Sequence, residues 1–429
     1  MSAALDNELN WNLSKKIAFR FFFILLVLLV FLNNNGAFLY ARQIFFYPTE
    51  LLHRIIPWLS LNVLKNDYNI TVFTNGSGDT TYDYVLLLFF VTLSVFGCLI
   101  WSLLDYKRKN YGKLYYWLIV VVRFYLAFTL ILYGSVKVIQ LQFPQPTLNR
   151  LVQPFGDASP MGLAWTFLGF SKGYNIFMGI IEISAILLLF KRTMVVGAFL
   201  SLAASVHVMA MDYFFDVPVK ILSTTLVFMC LFILAPYLQT IFKFFLTNEP
   251  QKLKALQTPT FTKKWQLILF RSLKYLLIVW TIGIMLDNAF NRQYTYGAKA
   301  PKPFLYGIYD VETVKSKGKE VLPLLTDSTR WRQMIINWEG FAQVKLMNDS
   351  SQTFTTVFHR ELRRLTLTSR NGDESQYQFI YDIPDENHLI LKGVKNQDSI
   401  SISFKCKDLK KFRLINRGFH WINEYPYNR

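Results

Sequence analysis

The chain has 429 residues, of which 52% are apolar, 17% aromatic and only 17% charged, with a formal charge of +18 and a mean hydropathy of +0.26. Soluble domains carry about 25% charged residues, so a soluble enzyme throughout, a disordered chain and a coiled coil are excluded. Cys98 and Cys230 lie in apolar runs, Cys406 stands alone and the histidines form no HExxH pair, so neither a disulfide framework nor a metal site is expected.

Crossing about 30 Å of hydrocarbon takes roughly 20 apolar residues, and six or seven runs qualify. The first passes from Ile17 through residues 21–32 toward Tyr40, interrupted by Asn33, Asn34 and Asn35. Lys15 and Lys16 precede it and no small-residue cleavage site follows, which reads as an uncleaved anchor rather than a signal peptide. The connection at 42–83 contains an amphipathic stretch at 47–59, with Thr49 as a cap and Trp58 at headgroup level. It also carries two glycosylation sequons, at Asn69 and Asn75. Further spans are expected at 84–104, 114–137, 174–190, 193–211, 221–245 and 273–289. The stretch 161–170 is too short to span and reads as interfacial or re-entrant.

Basic residues alternate by side. One set of connections holds sixteen, among them Lys15, Lys107, Arg108, Lys191, Arg192, Lys264 and Arg271; the other holds seven. The bias predicts a cytoplasmic N-terminus and, after seven spans, an extracytoplasmic C-terminal region. The positive charge is then a topology signal in a multi-pass cell (inner) membrane protein, with lipid and not nucleic acid as its partner.

From residue 291 the spans stop and alternation of period two begins. Val344/Leu346, Leu365/Leu367, Tyr377/Phe379/Tyr381, Leu389/Leu391 and Ile400/Ile402/Phe404 each place apolar side chains on one face. Turn signals at Asn348, Asn371, Pro384 and Lys395 separate them. Short strands at this spacing predict an antiparallel β barrel or sandwich. Leu305-Tyr-Gly-Ile-Tyr-Asp-Val is similar to the first strand of lipocalin-like barrels. His359, His388 and His420 fall on three separate predicted strands, and no nucleophile–base spacing, phosphate loop or carboxylate pair marks a reaction here. The aromatic tail from Arg417 is expected either to close the last strand or to dock on the outer mouth of the bundle or a headgroup layer. The expected division is 1–113 (anchor, amphipathic loop, second span), 114–290 (helical core and last span) and 291–429 (β-rich domain).

Within the helices, Arg123-Phe-Tyr comes early in one span and Tyr133-Gly-Ser-Val-Lys137 near its end; Gly179-Ile-Ile-Glu182 lies in the next span and Lys191-Arg-Thr follows it. This pattern, over about residues 115–245, resembles the DoxX family of four-helix membrane proteins. The resemblance implies a four-helix core and, through the small membrane subunit of thiosulfate:quinone oxidoreductase, a quinone-linked role. The order of helices followed by a β domain is loosely similar to the vitamin-K-dependent carboxylase family, which would make the protein a membrane-embedded modifying enzyme.

Ionisable groups inside hydrocarbon cost several kcal/mol and need a partner or a wet cavity. Glu182, eight residues past Tyr174, lies about 12 Å deep at 1.5 Å per residue. His207, Lys137 and Tyr133 fall in the same half of the membrane, with Asp212, Asp216 and Lys220 at its rim. Arg123 lies four helical turns before Lys137 on the same face. Each has a structural reading: Glu182 paired with Arg123 or Lys137, His207 bonded to a carbonyl or to Ser205, Lys137 snorkelling, Asp216 to Lys220 as a rigid turn. Converging, they would line a polar pocket, open to the outside, for a quinone headgroup, a proton or a polar substrate. Two functions remain open from the residues: an oxidoreductase-associated membrane module, or a non-enzymatic scaffold capturing a ligand or partner protein through its β domain.

Overall fold

The computed structural model describes residues 10–428 apart from 71, 73–75, 248–249, 254–262, 371–374 and 396–397. The sequons at Asn69 and Asn75 and the turn signals at Asn371 and Lys395 each include a residue outside that set. The chain forms two compact units, one of residues 1–143 and 160–293, the other of 144–159 and 294–429.

The first unit is helical. Its main helices are α1 (Leu13–Leu32), α2 (Phe46–Asn62), α3 (Thr81–Leu104), α4 (Gly112–Val138), α5 (Pro160–Phe170), α6 (Lys172–Ile183), α7 (Met194–Phe214), α8 (Lys220–Leu234), α9 (Leu238–Thr247) and α10 (Lys264–Thr295). Among the described residues, six stretches are long and apolar enough to cross a membrane: α3, α4, α6 with its 3-10 extension to Leu189, α7, α8 continued through α9, and α10. The protein is therefore an integral, multi-pass membrane protein. The first expected span forms as α1, but Lys15, Lys16 and Arg20 leave only its remainder uninterruptedly apolar. It nonetheless lies along the bundle: Trp11 N donates to Lys109 O (3.0 Å) at its start, and Tyr125 Oη donates to Asn33 O (3.2 Å) at its end. The amphipathic stretch forms as α2, with Trp58 exposed. Thr49 does not cap it: the helix starts earlier, at Phe46, and the Thr49 hydroxyl bonds back to Phe45 O. The core is an apolar cluster drawn mainly from α1, α3, α4, α7 and α8. α4 is buried on most sides, because α1, α6 and α8 pack on it.

The second unit is a closed antiparallel barrel. Its eight strands are β1 (Gly307–Ser316) and β3–β9 (Trp331–Trp338, Phe341–Leu346, Ser351–His359, Arg364–Ser369, Gln376–Asp385, His388–Lys395 and Asp398–Cys406). They meander up and down in chain order, and β9 pairs back to β1 through Tyr309↔Cys406 and Val311↔Phe404. The short β2 (Lys319–Glu320) pairs with the end of β1. Every apolar pair expected from the alternation points inward, around Trp331, Phe354, Phe379 and Phe404. Large side chains fill the lumen and leave a cavity of about 30 Å³ beside Arg330 and Trp331. Residues 144–159 belong to this unit: Leu148 packs on Ile308 and Ile335, and its N–H donates to Asn337 Oδ1 (3.2 Å). The tail does not close the last strand. Beyond Asn416 no period-two pattern sustains pairing, so His420 is not on a strand and Phe419, Trp421, Ile422 and Tyr425 are exposed.

Candidate functional site

Two glycines set the geometry of the bundle's polar centre. A Cβ on Gly134 of α4 would lie 2.7 Å from Gly179 O, and one on Gly179 of α6 would lie 2.6 Å from Gly134 O. Gly134 also meets Ile183 while Gly179 meets Val138, so the helices run antiparallel with their backbones in contact. Side chains lean toward the N-terminus of their own helix. Lys137, one turn beyond Gly134, therefore reaches back along α4, and Glu182, one turn beyond Gly179, reaches back to meet it. Lys137 Nζ lies 2.8 Å from both Glu182 carboxylate oxygens, and both side chains are about 4% exposed. The ammonium also sits 5.8 Å from the Tyr133 ring and 5.7 Å from that of Phe143. Asn175 fixes Phe143 by donating to its carbonyl (2.9 Å), and Trp165 of α5 packs edge-on against it.

This pair forms part of the wall of a cavity of about 160 Å³. Tyr133 and Lys137 come from α4, Glu182 from α6, His207 and Asp212 from α7, and Ser223 from α8. Met161, Trp165, Leu168, Met178, Met211 and Leu226 make most of the remaining surface apolar. Asp212 is 4% exposed, and its Oδ2 has no hydrogen-bond partner among the described residues. His207, more exposed, makes no side-chain hydrogen bond among them. Two carboxyl groups, one amine and one imidazole thus line the cavity.

No protein-family model matches the chain, and no solved structure matches it. Over 113 residues, 26% of the chain, it is 39% identical to the uncharacterized protein YwoB of Bacillus subtilis (strain 168), covering 71% of that protein. The chain belongs to the YwoB family.

Two of the expected pocket residues of this YwoB-family chain lie elsewhere. Asp216 is a turn residue at positive φ, 85% exposed on its side chain, and pairs with Lys220 at 3.0 Å outside the cavity. Arg123 shares the α4 spiral with Lys137, but fourteen residues of helix separate them by about 21 Å. Its guanidinium instead meets Met194 Sδ at 3.9 Å. Of the partners open to Glu182, Lys137 is the one that takes it.

Two polar clusters give no local sequence signal. Arg20, which the sequence offers as a topology charge, is 1% exposed. It donates to Tyr111 Oη (2.8 and 3.0 Å), Ser102 Oγ (2.8 Å) and Asp105 O (2.9 Å), binding α1 to the α3–α4 connection. Asp79 accepts from the N–H groups of Lys220 (2.7 Å) and Ile221 (3.0 Å), capping α8 from a distant loop. Gly78 N donates to Pro218 O (2.8 Å) beside it. Residues 76 and 217–219 thereby form the cavity rim.

Proposed function

We propose that the protein is a DoxX-like membrane binding module whose bundle cavity takes the headgroup of a quinone-class molecule for an associated oxidoreductase. One observation carries the reading: Tyr133, Lys137, Glu182, His207 and Asp212, from three helices, converge on one mostly apolar cavity of about 160 Å³. A cavity of about 150 Å³ holds a benzene-sized ring, so the space suits one six-membered ring. The unpartnered Asp212 Oδ2 favours a ligand that donates a hydrogen bond, as a hydroquinone does and a quinone does not. Tyr133 and His207 offer complementary groups on the same wall. The bias of basic residues supports a cytoplasmic N-terminus, with the cavity in the outer half of the cell membrane and the barrel extracytoplasmic.

The test is extraction in mild detergent with identification of co-purified quinones. Asp212→Asn should reduce the recovery of quinol relative to wild type while leaving the thermal transition in place. Equal recovery from Asp212→Asn and wild type, or none from either, would defeat the reading.

A second reading, a non-enzymatic scaffold acting through the barrel, draws on the filled lumen. With the lumen packed around Trp331 and a cavity of about 30 Å³ beside it, a protein partner would bind the barrel's outer face. Pull-down with the intact protein, insensitive to Asp212→Asn, would favour it.

A further inference from the structure

A second polar site lies away from the cavity. Arg123 is 4% exposed, its Nε has no hydrogen-bond partner among the described residues, and its Nη1 meets the Met194 sulfur at 3.9 Å. Lys274 of α10 joins it around one ring: the Arg123 guanidinium is 5.7 Å and the Lys274 ammonium 6.0 Å from the Phe124 centroid. Lys274 also lies 5.3 Å from the Phe190 ring. The phenols of Tyr116 and Tyr237 face Arg123, and Arg123 and Lys274 repel each other. Among the described residues neither cation has a carboxylate partner.

A guanidinium does not lose its proton in a protein, and a buried cation without an anion is strongly disfavoured. Burial this deep calls for a counter-ion that the described residues do not supply. The level of the site indicates which. Met194 and Phe190 flank the turn that carries exposed Lys191 and Arg192, where the short α6–α7 pair ends on the basic side. α4 runs eleven residues past Arg123 to Gly112, and α10 ten residues past Lys274 to Lys264, about 15–17 Å each. The site is thus walled by two long helices at the foot of a shorter hairpin. Leu273, Leu276 and Leu277 on α10 are exposed around it, as on a lipid-facing surface.

We propose that Arg123 and Lys274 bind the phosphate of an anionic phospholipid in the leaflet on the basic side. The guanidinium accepts the geometry of a phosphate through paired N–H donors. Lys274 supplies a second charge, and the acyl chains lie along α10. The site is independent of the cavity and of any ligand there.

The test uses the full-length protein, stripped of lipid in detergent, with dioleoyl phosphatidylglycerol, dioleoylglycerol and sodium phosphate as separate probes. Phosphatidylglycerol should raise the melting temperature of the wild type and give a bound adduct in native mass spectrometry; dioleoylglycerol should do neither. Arg123→Met and Lys274→Met should each weaken the adduct by on the order of tenfold, the value of one charge-assisted contact. Arg123→Met should also melt no lower than wild type when both are lipid-free, because it removes an unpaired buried charge. A merely structural arginine would lower melting in every condition. Stabilisation by sodium phosphate as strong as by the lipid would keep the phosphate site and assign it to a free anion. Equal phosphatidylglycerol binding by wild type and both variants, or equal stabilisation by dioleoylglycerol, would overturn the proposal. Should Arg123→Met fail to fold, the half-buried Lys274 at the edge of the site gives the same reading through its own variant.

Discussion

At the scale of single residues, the Lys137–Glu182 pair separates attraction from desolvation. Removing one member of a buried ion pair costs about 3–5 kcal/mol, whereas replacing both by apolar residues is often neutral. Glu182→Gln should therefore lower the melting temperature in detergent, and the double change Lys137→Met with Glu182→Leu should recover most of it. Both should lose a ligand that depends on the cavity, so stability and ligand recovery part company in the double variant. A single change that melts like wild type would show that water reaches the pair. In the barrel, Asp327 caps the turn into β3: its Oδ1 accepts from Thr329 N (2.7 Å), Thr329 Oγ1 (2.8 Å) and Arg330 N (3.0 Å). These bonds, the Thr329 N–H first, hold its carboxyl below the usual range. A depressed folded value gives stability that is present above the unfolded value near pH 4 and is lost as the pH falls through the folded one. The carboxylate is largely solvated, so Asp327→Ala should cost only about 1 kcal/mol at neutral pH. The difference should vanish in acid, as followed by barrel unfolding against pH.

Among the elements, helix contact and strand closure each depend on a glycine. At Gly134 and Gly179 the obstacle is the facing backbone, which does not yield as a flexible side chain would. Gly179→Val should force α4 and α6 apart at a cost of about 1–3 kcal/mol and pull Lys137 from Glu182. Thermal unfolding and ligand recovery should fall together. In the barrel, a Cβ on Gly393 of β8 would run into Gln378 O, so Gly393→Val should break the β7–β8 pairing and lower the β-type circular dichroism. The strands were legible because an inward face repeats every second residue: Leu365 and Leu367, or Leu389 and Leu391, name their side without reference to anything distant. The spans were legible by length. What stayed hidden depends on contacts between helices. Glu182 had two candidate partners until the Gly134–Gly179 contact fixed the register. Arg20 and Lys16 look alike in the sequence, yet Arg20 is enclosed by Tyr111, Ser102 and Asp105 while Lys16 stays at the edge. Asp79 caps a helix that begins 141 residues later, and no local rule reaches that far.

For the molecule as a whole, two statements about organisation can be tested. The barrel unit includes residues 144–159, which cover Ile308 and Ile335, so residues 299–429 expressed alone should give a β spectrum but melt earlier than the same piece with a peptide of 144–159 added. A helical spectrum would contradict the strand assignment. The second test concerns direction through the membrane. In the helical unit, α1 begins where Lys16 Nζ meets Arg108 O (2.9 Å), so the chain near Leu13 and the α3–α4 connection share one side. α3 and the antiparallel helices that follow carry the chain back and forth, and cations gather on that same side at Lys107, Arg108, Lys191 and Arg192. Charge bias of this kind marks the cytoplasm because lysine and arginine resist translocation. With Cys406 replaced by serine, single cysteines at Leu13, Lys107 and Lys191 should stay unlabelled by an impermeant maleimide on intact cells and react after permeabilisation. Cysteines at Lys65 and Glu386 should react at once. Labelling of Lys107 and Leu13 on opposite sides would contradict α1 as a traversing helix. Labelling of the whole set in reverse would move the Lys137–Glu182 cavity to the cytoplasmic half, and with it the class of ligand able to enter.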